Sequence, residues 1–163
     1  MPLIVGTDSY ITLVEAEAYL ADYILPTDKQ YVVWDDLADS VKEIHLRYAC
    51  QSIEAVKFTG KRYEEDQALS FPRTYSWGTP EEVPEAVKIA QAFEALELSS
   101  PGADSEKYEA RTGVVKSYSL KGLGGETFRD IVPGSSGMLS LCIKSRRAQL
   151  QLSKLAGGGY DIT

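Results

Sequence analysis

Apolar residues recur at three- and four-residue steps in several segments of the chain, which is the spacing of one face of an α-helix. The first such segment runs from Thr12 to Ile24. Thr12 and Glu15 have the spacing of a capping box, in which each side chain satisfies a backbone N–H at the helix start. Pro26 ends the helix. Its predicted buried face consists of Leu13, Ala16, Leu20 and Tyr23.

A second helix is predicted from Ser40, which pairs with Glu43 in another capping box, to about Phe58. Gly60 follows as a natural helix stop. The residues before this helix, 27–39, are apolar enough around Trp34 to predict a connection packed against the helices. The predicted buried stripe of the second helix consists of Val41, Ile44, Tyr48, Ser52, Ile53 and Val56.

A third helix is predicted after Pro84, because a proline in the first turn of a helix removes no hydrogen bond. Its predicted buried face has unusually small residues, which allow close helix packing. That face consists of Ala86, Ile89, Ala90, Phe93 and Leu96. A last helix is predicted near the C-terminus, capped by Ser135 or Ser136. Its apolar positions are Leu139, Cys142 and Ile143, followed by Arg146.

Between these last two helices the pattern changes to that of a β-hairpin. Residues 113–120 predict a strand, residues 121–125 a glycine-rich turn, and residues 126–132 the returning strand. The predicted fold is therefore mainly α: a small bundle of about four helices with an inserted β-hairpin and an extended C-terminal tail. We divide it into a helical domain, residues 1–147, with the hairpin arm at about 112–132, and a flexible tail, residues 148–163, that ends in a glycine-rich stretch.

The balance of acidic and basic residues argues against one class of protein. The chain has 163 residues and 17 Lys and Arg against 24 Asp and Glu, giving a net charge of −7. Such a balance argues against a protein whose whole surface binds nucleic acid, because that affinity comes from basic residues. Lys144, Arg146 and Arg147 form one basic cluster, which either complements a helix dipole or contacts a phosphate or an acidic partner. Cys50 and Cys142 are predicted to be small core residues rather than a disulfide.

The N-terminus has no signal-peptide pattern and no segment is apolar enough to span a membrane, so a soluble protein made in the cytoplasm is expected.

The residues that usually carry catalysis are sparse. His45 is the single histidine and lies within a predicted helix, so neither a metal site nor a histidine-based catalytic pair is expected. The acidic run at 64–66 is typical of a solvated surface. Gly122, Gly124 and Gly125 lack the Lys-Ser or Lys-Thr that a phosphate-binding loop requires. We therefore expect no enzymatic activity, no cofactor and no metal.

The stretch from Lys61 to Trp77 has no helical pattern but is rich in aromatic residues, which predicts a segment lying across the helices. Within it, Arg73 follows Pro72. We expect Arg73 either to close a buried carboxylate pair or to donate hydrogen bonds to backbone carbonyls. Trp34 and Arg73 are both interpreted as structural residues.

Several of these features occur together in a known family. They are Ser9-Tyr10 before a helix, Trp34 before the next helix, and then Gly60-Lys61-Arg62, Gln67 to Arg73 and Val83-Pro84. Over residues 4–98 the chain resembles the head–tail connector, or adaptor, proteins of tailed bacteriophages, a family often labelled DnaT-like ssDNA-binding. The motif positions are Trp34, Gly60, Gln67, Phe71, Pro72, Arg73 and Pro84.

The resemblance implies a structural virion protein of the phage neck that forms a dodecameric ring beneath the portal protein. Such a ring continues the DNA channel without reading its sequence and binds the next neck or tail-completion protein. The alternative is a single-stranded-DNA-binding replication accessory protein. The expected contacts with the portal or another partner are Lys144, Arg146, Arg147, Leu150, Leu152, Leu155, Tyr160 and Ile162.

Overall fold

Five helices and two small antiparallel sheets form the part of the chain that the computed structural model describes, residues 2–75, 82–100, 117–120, 124–127, 142–153 and 155–156. The helices are α1 (Leu13–Tyr23), α2 (Lys29–Asp35), α3 (Asp39–Glu54), α4 (Glu85–Ser99) and α5 (Arg146–Leu152). The strands are β1 (Lys61–Arg62), β2 (Arg73–Thr74), β3 (Ser117–Leu120) and β4 (Gly124–Thr127). The predicted mainly α fold with a β-hairpin is confirmed.

Helix α4 lies at the centre, and α1, α2, α3 and α5 all pack against it. Every residue from Ile89 to Glu97 is buried, as expected for a helix with neighbours on all sides. The predicted face is confirmed at Ile89, Ala90, Phe93 and Leu96, whereas Ala86 is half-buried. Ala92 and Ala95 lie on the other faces and also allow close packing.

Three buried polar side chains of α4 each hold a different segment of the chain. The side-chain amide of Gln91 accepts a bond from the backbone N–H of Tyr10 (2.9 Å) and donates to Ser9 Oγ (2.7 Å) and to the carbonyl of Leu46 (2.9 Å). Glu97 accepts a bond from Gln30 Nε2 (2.7 Å). Glu94 binds the C-terminal segment, as described below. Such buried groups require partners, so α4 fixes the positions of the segments around it.

The structure confirms the predicted first helix, α1, and its capping box. Thr12 is the N-cap, and the reciprocal bonds with Glu15 are both present (3.2 and 2.8 Å). Ala16 and Leu20 are fully buried, but Tyr23 remains 55% exposed while its ring contacts Phe93 edge-on. The helix therefore buries a narrower face than its apolar pattern predicted.

Residues 27–39 contain a helix where a connection was predicted. Asp28 caps α2 by accepting a bond from the backbone N–H of Gln30 (2.9 Å). Trp34 is 1% exposed, as its prediction as a structural residue requires, while Val32 and Val33 stay exposed. The connection prediction was wrong because the seven-residue helix is too short to show a helical period.

The predicted start and end of the second helix, α3, were wrong, and its predicted face was wrong at three of its six positions. Its N-cap is Ala38 without a side-chain bond, so the Ser40–Glu43 capping box does not form, and the helix ends at Glu54 rather than near Phe58. Of the predicted stripe, Ile53 and Val56 are buried and Ser52 is half-buried, but Val41, Ile44 and Tyr48 are exposed. The buried face consists of Lys42, Leu46, Ala49, Cys50 and Ile53.

The hairpin pairs β3 with β4, from Ser117 opposite Thr127 to Leu120 opposite Gly124. Gly124 and Gly125 belong to the returning strand, so the predicted turn is two residues too long at this end. The central turn residues, 121–123, lie outside the described residues. So do the proposed caps of the last helix, Ser135 and Ser136. Among the described residues of that predicted helix, Cys142 is helical, whereas Ile143 and Ser145 are not, and Ser145 caps α5.

Gly60 has a backbone conformation that only glycine adopts easily, with φ of +78°, and a Cβ atom there would lie 2.3 Å from the carbonyl oxygen of Thr74. Gly6 provides a matched control, since its φ is +84° but a Cβ atom would meet nothing within 4 Å.

We expect Gly6→Ala to lower the free energy of unfolding by about 1 kcal/mol, the left-handed penalty alone. Gly60→Ala should lower it by more than about 3 kcal/mol, because the backbone must also move. Urea denaturation of both variants measures the difference. Equal losses would show that the close contact between Gly60 and Thr74 is unimportant.

Candidate functional site

The carboxylate of Glu54, at the end of α3, joins three parts of the chain. It accepts bonds from the backbone N–H of Ser70 (3.0 and 3.1 Å), from Ser70 Oγ (2.8 Å) and from the hydroxyl of Tyr10. Burial, together with the bond to Glu54, raises the pKa of Tyr10 far above its ordinary value, so its hydroxyl stays protonated and remains a donor. Glu54 therefore fastens the segment after α3 to the N-terminal segment.

We call residues 58–75 the crossing loop. Arg73 organises it by donating to four backbone carbonyls: those of Thr59 (2.7 Å), Gly60 (2.7 Å), Ser70 (3.2 Å) and Phe58 (3.3 Å). Of the two interpretations of Arg73, the structure therefore shows the bonds to backbone carbonyls. The planar guanidinium suits this role because its donors have fixed directions.

Other motif residues complete the crossing loop. Gln67 donates to the carbonyls of Leu69 (2.7 Å) and Pro72 (3.1 Å) and accepts from the backbone N–H of Glu64 (3.0 Å). Phe71, which precedes Pro72 through a cis peptide bond, is buried against the rings of Phe58 and Tyr10. These residues bond to the backbone and to one another, so their arrangement is that of a structural motif.

The remaining motif residues, Trp34 and Pro84, are also structural. Lys42 lies over the ring of Trp34, 5.9 Å from its centroid, and its ammonium bonds to Glu17 (2.9 Å). Among the described residues, the indole N–H of Trp34 has no hydrogen-bond partner. Pro84 is the N-cap of α4, and its carbonyl accepts the backbone N–H of Val87 (2.9 Å).

Helix α5 is held against the core by Glu94, which is 0% exposed. Its two carboxylate oxygens accept the backbone N–H groups of Lys144 (3.0 Å) and Ser145 (2.8 Å), directly before the helix. Ser145 then caps α5 by accepting from the N–H of Ala148 (3.4 Å). Gln149 donates back to the carbonyl of Ile143 (2.7 Å). The start of α5 is therefore fixed by a buried carboxylate.

Helix α5 packs against the core, although a flexible tail was predicted from residue 148. Ala148 and Leu152 are 0% exposed, so the bundle continues through α5, and Leu152 is not accessible to the partner predicted to contact it. Leu155 is half-buried, and its carbonyl accepts the backbone N–H of Thr59 (3.1 Å). Residues 157–163, with the predicted contacts Tyr160 and Ile162, lie outside the described residues.

Three of the other predicted contacts lie on the outer surface of α5. Arg146, Arg147 and Leu150 are exposed, with Leu150 at 59%, while Lys144 is half-buried. Arg147 lies over the ring of Phe93, 5.9 Å from its centroid, and 4.0 Å from a carboxylate oxygen of Asp28. We call Arg146, Arg147 and Leu150 the α5 surface.

Helix α3 carries apolar side chains on both of its faces. Opposite its buried face, Val41, Ile44 and Tyr48 are 37%, 45% and 55% exposed. Their three- and four-residue spacing places them along one line of the helix surface. We call these three residues the α3 surface.

One exposed segment has the composition of a nucleic-acid contact. Lys57, directly before the crossing loop, and Lys61, Arg62 and Tyr63 within it are all exposed and would suit phosphates and a stacked base. The acidic run at 64–66 follows at once and is equally exposed. These carboxylates offset the basic charge, so this segment is locally close to neutral.

The described residues give little basis for catalytic chemistry. They include no group of three or more His, Cys, Asp or Glu side chains placed to hold a metal ion. Burial lowers the pKa of His45. Cys50 and Cys142 are free, and burial raises the pKa of Cys50 to about 12, far from the thiolate form that makes a cysteine reactive.

No helix in the described ranges is long and apolar enough to cross a membrane.

Residues 2–122 match the model of a protein family described as "Putative DnaT-like ssDNA binding protein". The match includes α1 to α4 and the crossing loop but ends before α5. Neither the curated proteins nor the solved structures gave a match to the chain.

Replacing Arg73 should destabilise the fold. Arg73→Ala leaves several carbonyls without their donor, so we expect the free energy of unfolding to fall by about 2–4 kcal/mol. Arg73→Lys keeps the charge but lacks the planar set of donors, and should recover less than half of that loss. Arg62→Ala, on the neighbouring strand, is the control and should change the free energy by less than about 0.5 kcal/mol. Urea denaturation of the three variants measures these changes, and full recovery with lysine would contradict the role of the guanidinium geometry.

The burial of Glu94 predicts a pH dependence of stability. Loss of hydration raises the pKa of Glu94 above its ordinary value of 4.5, although the N–H groups of Ser145 and Lys144 partly oppose this. The folded state therefore holds this proton more tightly than the unfolded state. It follows that the contribution of Glu94 to stability declines as pH rises from about 4.5 through the raised pKa.

We expect the difference in unfolding free energy between wild type and Glu94→Gln to decrease over this pH interval, because glutamine does not titrate. Glu85→Gln, an exposed change in the first turn of the same helix, is the control. Urea denaturation at intervals from pH 4 to pH 8 measures both differences. A difference that grows with pH would contradict the raised pKa of Glu94.

Proposed function

Since this chain belongs to the DnaT-like ssDNA binding protein family, whose model matches residues 2–122, we propose a function that accounts both for the family and for the surface of the molecule. The chain is a non-catalytic structural subunit of the neck of a tailed phage. It forms a homo-oligomeric ring, a dodecamer in the proposed assembly, beneath the portal protein. The ring joins the head to the tail and continues the DNA channel.

The observation that carries this proposal is the α3 surface. Val41, Ile44 and Tyr48 are aligned and exposed, although α3 already has a complete buried face. A row of apolar side chains left in water favours contact with another protein. A ring subunit requires such a surface, because each copy must bind its neighbours.

The bonding within the crossing loop also supports a structural function. Arg73 and Gln67 are engaged with backbone groups, and Glu54 with Ser70 and Tyr10. The motif positions on which the resemblance to phage connectors rests therefore build a fixed shape. The net charge of −7 suits a channel through which DNA passes without being held. We place the protein in the virion neck after its synthesis in the host cytoplasm.

The second candidate is a single-stranded-DNA-binding protein, which the description of the family favours. The residues that would carry it are Lys57, Lys61, Arg62 and Tyr63. The neighbouring carboxylates at 64–66 weigh against it, since phosphate binding depends on an uncompensated basic surface.

Electron microscopy of the protein mixed with the portal protein of the same genome tests the first candidate. We expect a ring of subunits on the portal, and the same protein in purified particles by mass spectrometry. Absence of the ring from the portal and of the protein from particles would contradict it.

A filter-binding titration with a single-stranded oligonucleotide separates the two candidates. We expect no binding at micromolar protein in low salt. Salt-sensitive micromolar binding that is lost in a Lys61→Glu/Arg62→Glu double variant would instead support the second candidate. A Lys29→Glu/Lys88→Glu double variant, on α2 and α4, changes the net charge by the same amount and is the control.

A further inference from the structure

The C-terminal segment, residues 142–153 and 155–156, depends on the core for its structure. Its helix, α5, has seven residues, and a helix of that length is not stable by itself in water. Among the described elements, α5 packs extensively only on α4. Glu94 of α4 also accepts the two backbone N–H groups that precede the helix. The segment is therefore expected to be folded only while it lies against α4.

The end of the C-terminal segment is bonded to the crossing loop. The carbonyl of Leu155 accepts bonds from the backbone N–H (3.1 Å) and the hydroxyl (3.2 Å) of Thr59. Next to this contact, Phe58 and Ala156 pair as an antiparallel β-bridge. The C-terminal segment thus connects α4 to the first residues of the crossing loop.

The first residues of the crossing loop have little other support from the backbone. Arg73 donates to the three carbonyls of residues 58–60, but it belongs to the loop itself. The strands β1 and β2 have two residues each, and a two-stranded sheet is marginal in water even when it is longer. One further bond of this pairing joins the N–H of Tyr63 to the carbonyl of Pro72 (3.2 Å). The C-terminal segment is therefore expected to stabilise the start of the loop.

Helices α1, α2 and α3 are fixed to α4 by contacts that do not involve the C-terminal segment. Gln91 bonds to the N-terminal segment and to α3, and Glu97 bonds to α2. The far end of the crossing loop is bonded to α3 through Ser70 and Glu54. Separation of the C-terminal segment from α4 leaves all of these bonds in place.

We propose that the C-terminal segment is a latch on the crossing loop: it separates from α4 as one unit, and its separation frees residues 58–63 while α1 to α4 stay folded. Every contact of this latch lies within one copy of the chain, so it does not depend on the proposed assembly. The freed residues include Lys61, Arg62 and Tyr63, the exposed basic and aromatic positions of the loop. A partner that binds the separated C-terminal segment therefore also favours the freed form of the loop, because a ligand shifts an equilibrium toward the state that it binds.

Hydrogen exchange of the wild type in low concentrations of urea, followed by NMR, tests the latch. We expect the amides of Ser145, Thr59 and Tyr63 to exchange through one common opening. This opening should depend less on urea than the exchange of Leu46 in α3, because it exposes less surface than global unfolding. Exchange of Ser145 only together with Leu46 would overturn the separate opening. Exchange of Thr59 or Tyr63 through an opening that Ser145 does not share would overturn the connection to the loop.

A charge at a buried position of α5 should hold the C-terminal segment away from α4. Leu152 is 0% exposed and Leu150, two residues earlier, is 59% exposed, so Leu152→Asp and Leu150→Asp form a matched pair. Because burial of a carboxylate is strongly unfavourable, Leu152→Asp should speed the exchange of Ser145, Thr59 and Tyr63 at least about a hundredfold. Leu150→Asp, the control, should change these rates by less than about threefold.

The amide of Leu46 and the circular dichroism spectrum show whether the core of Leu152→Asp stays folded. We expect Leu46 to remain protected and the helical signal to decrease only by the contribution of α5. Complete unfolding of this variant would overturn the proposal, because the core then requires the C-terminal segment. Unchanged protection of Ser145 would overturn it as well, and so would protection of Thr59 and Tyr63 that persists after Ser145 has lost its own.

Discussion

The structure depends on the burial of α4 on all sides, because a helix without a solvent face must find a partner for each of its polar groups. Gln91, Glu94 and Glu97 follow one another at three-residue intervals along this helix. The first binds the N-terminal segment and α3, the second binds the start of α5, and the third binds α2. Unsatisfied groups in these positions would destabilise the core. The requirement for hydrogen bonds therefore determines where four separate segments lie.

Local patterns predicted those elements that depend on local interactions. The capping box of α1 involves residues three positions apart, and the face of α4 was predicted correctly at Ile89, Phe93 and Leu96 because these positions are apolar. The buried polar residues of α4 were missed, since their bonds join segments far apart in the chain, such as Gln91 with Tyr10. In α2 the helix is too short to show a period. The structure at these positions is determined by tertiary contacts, which the pattern of residues along the chain does not reveal.

The candidate site was also predicted in part and missed in part. The sequence predicted Arg73 as a structural residue that either closes a carboxylate pair or donates to backbone carbonyls, and the structure shows the bonds to carbonyls. The α3 surface was not predicted. Its apolar residues have the spacing of a buried face, and periodicity does not tell whether the partner of such a face lies in the same chain. The buried Lys42 made the true inner face of α3 look polar, although its bond to Glu17 and its position over Trp34 satisfy it there.

The exposed apolar residues of α3, which were predicted to be buried, have a physical explanation. A helix that needed only to fold against α4 would be expected to carry polar residues at positions 41, 44 and 48, since exposed apolar side chains favour aggregation. The apolar pattern on both sides of α3 is explained if one side serves the fold and the other serves association. The bonds of Glu54 at the end of α3 and of Glu94 at the start of α5 then matter for assembly, because a contact between copies repeats accurately only when each copy presents its surfaces in the same relative orientation.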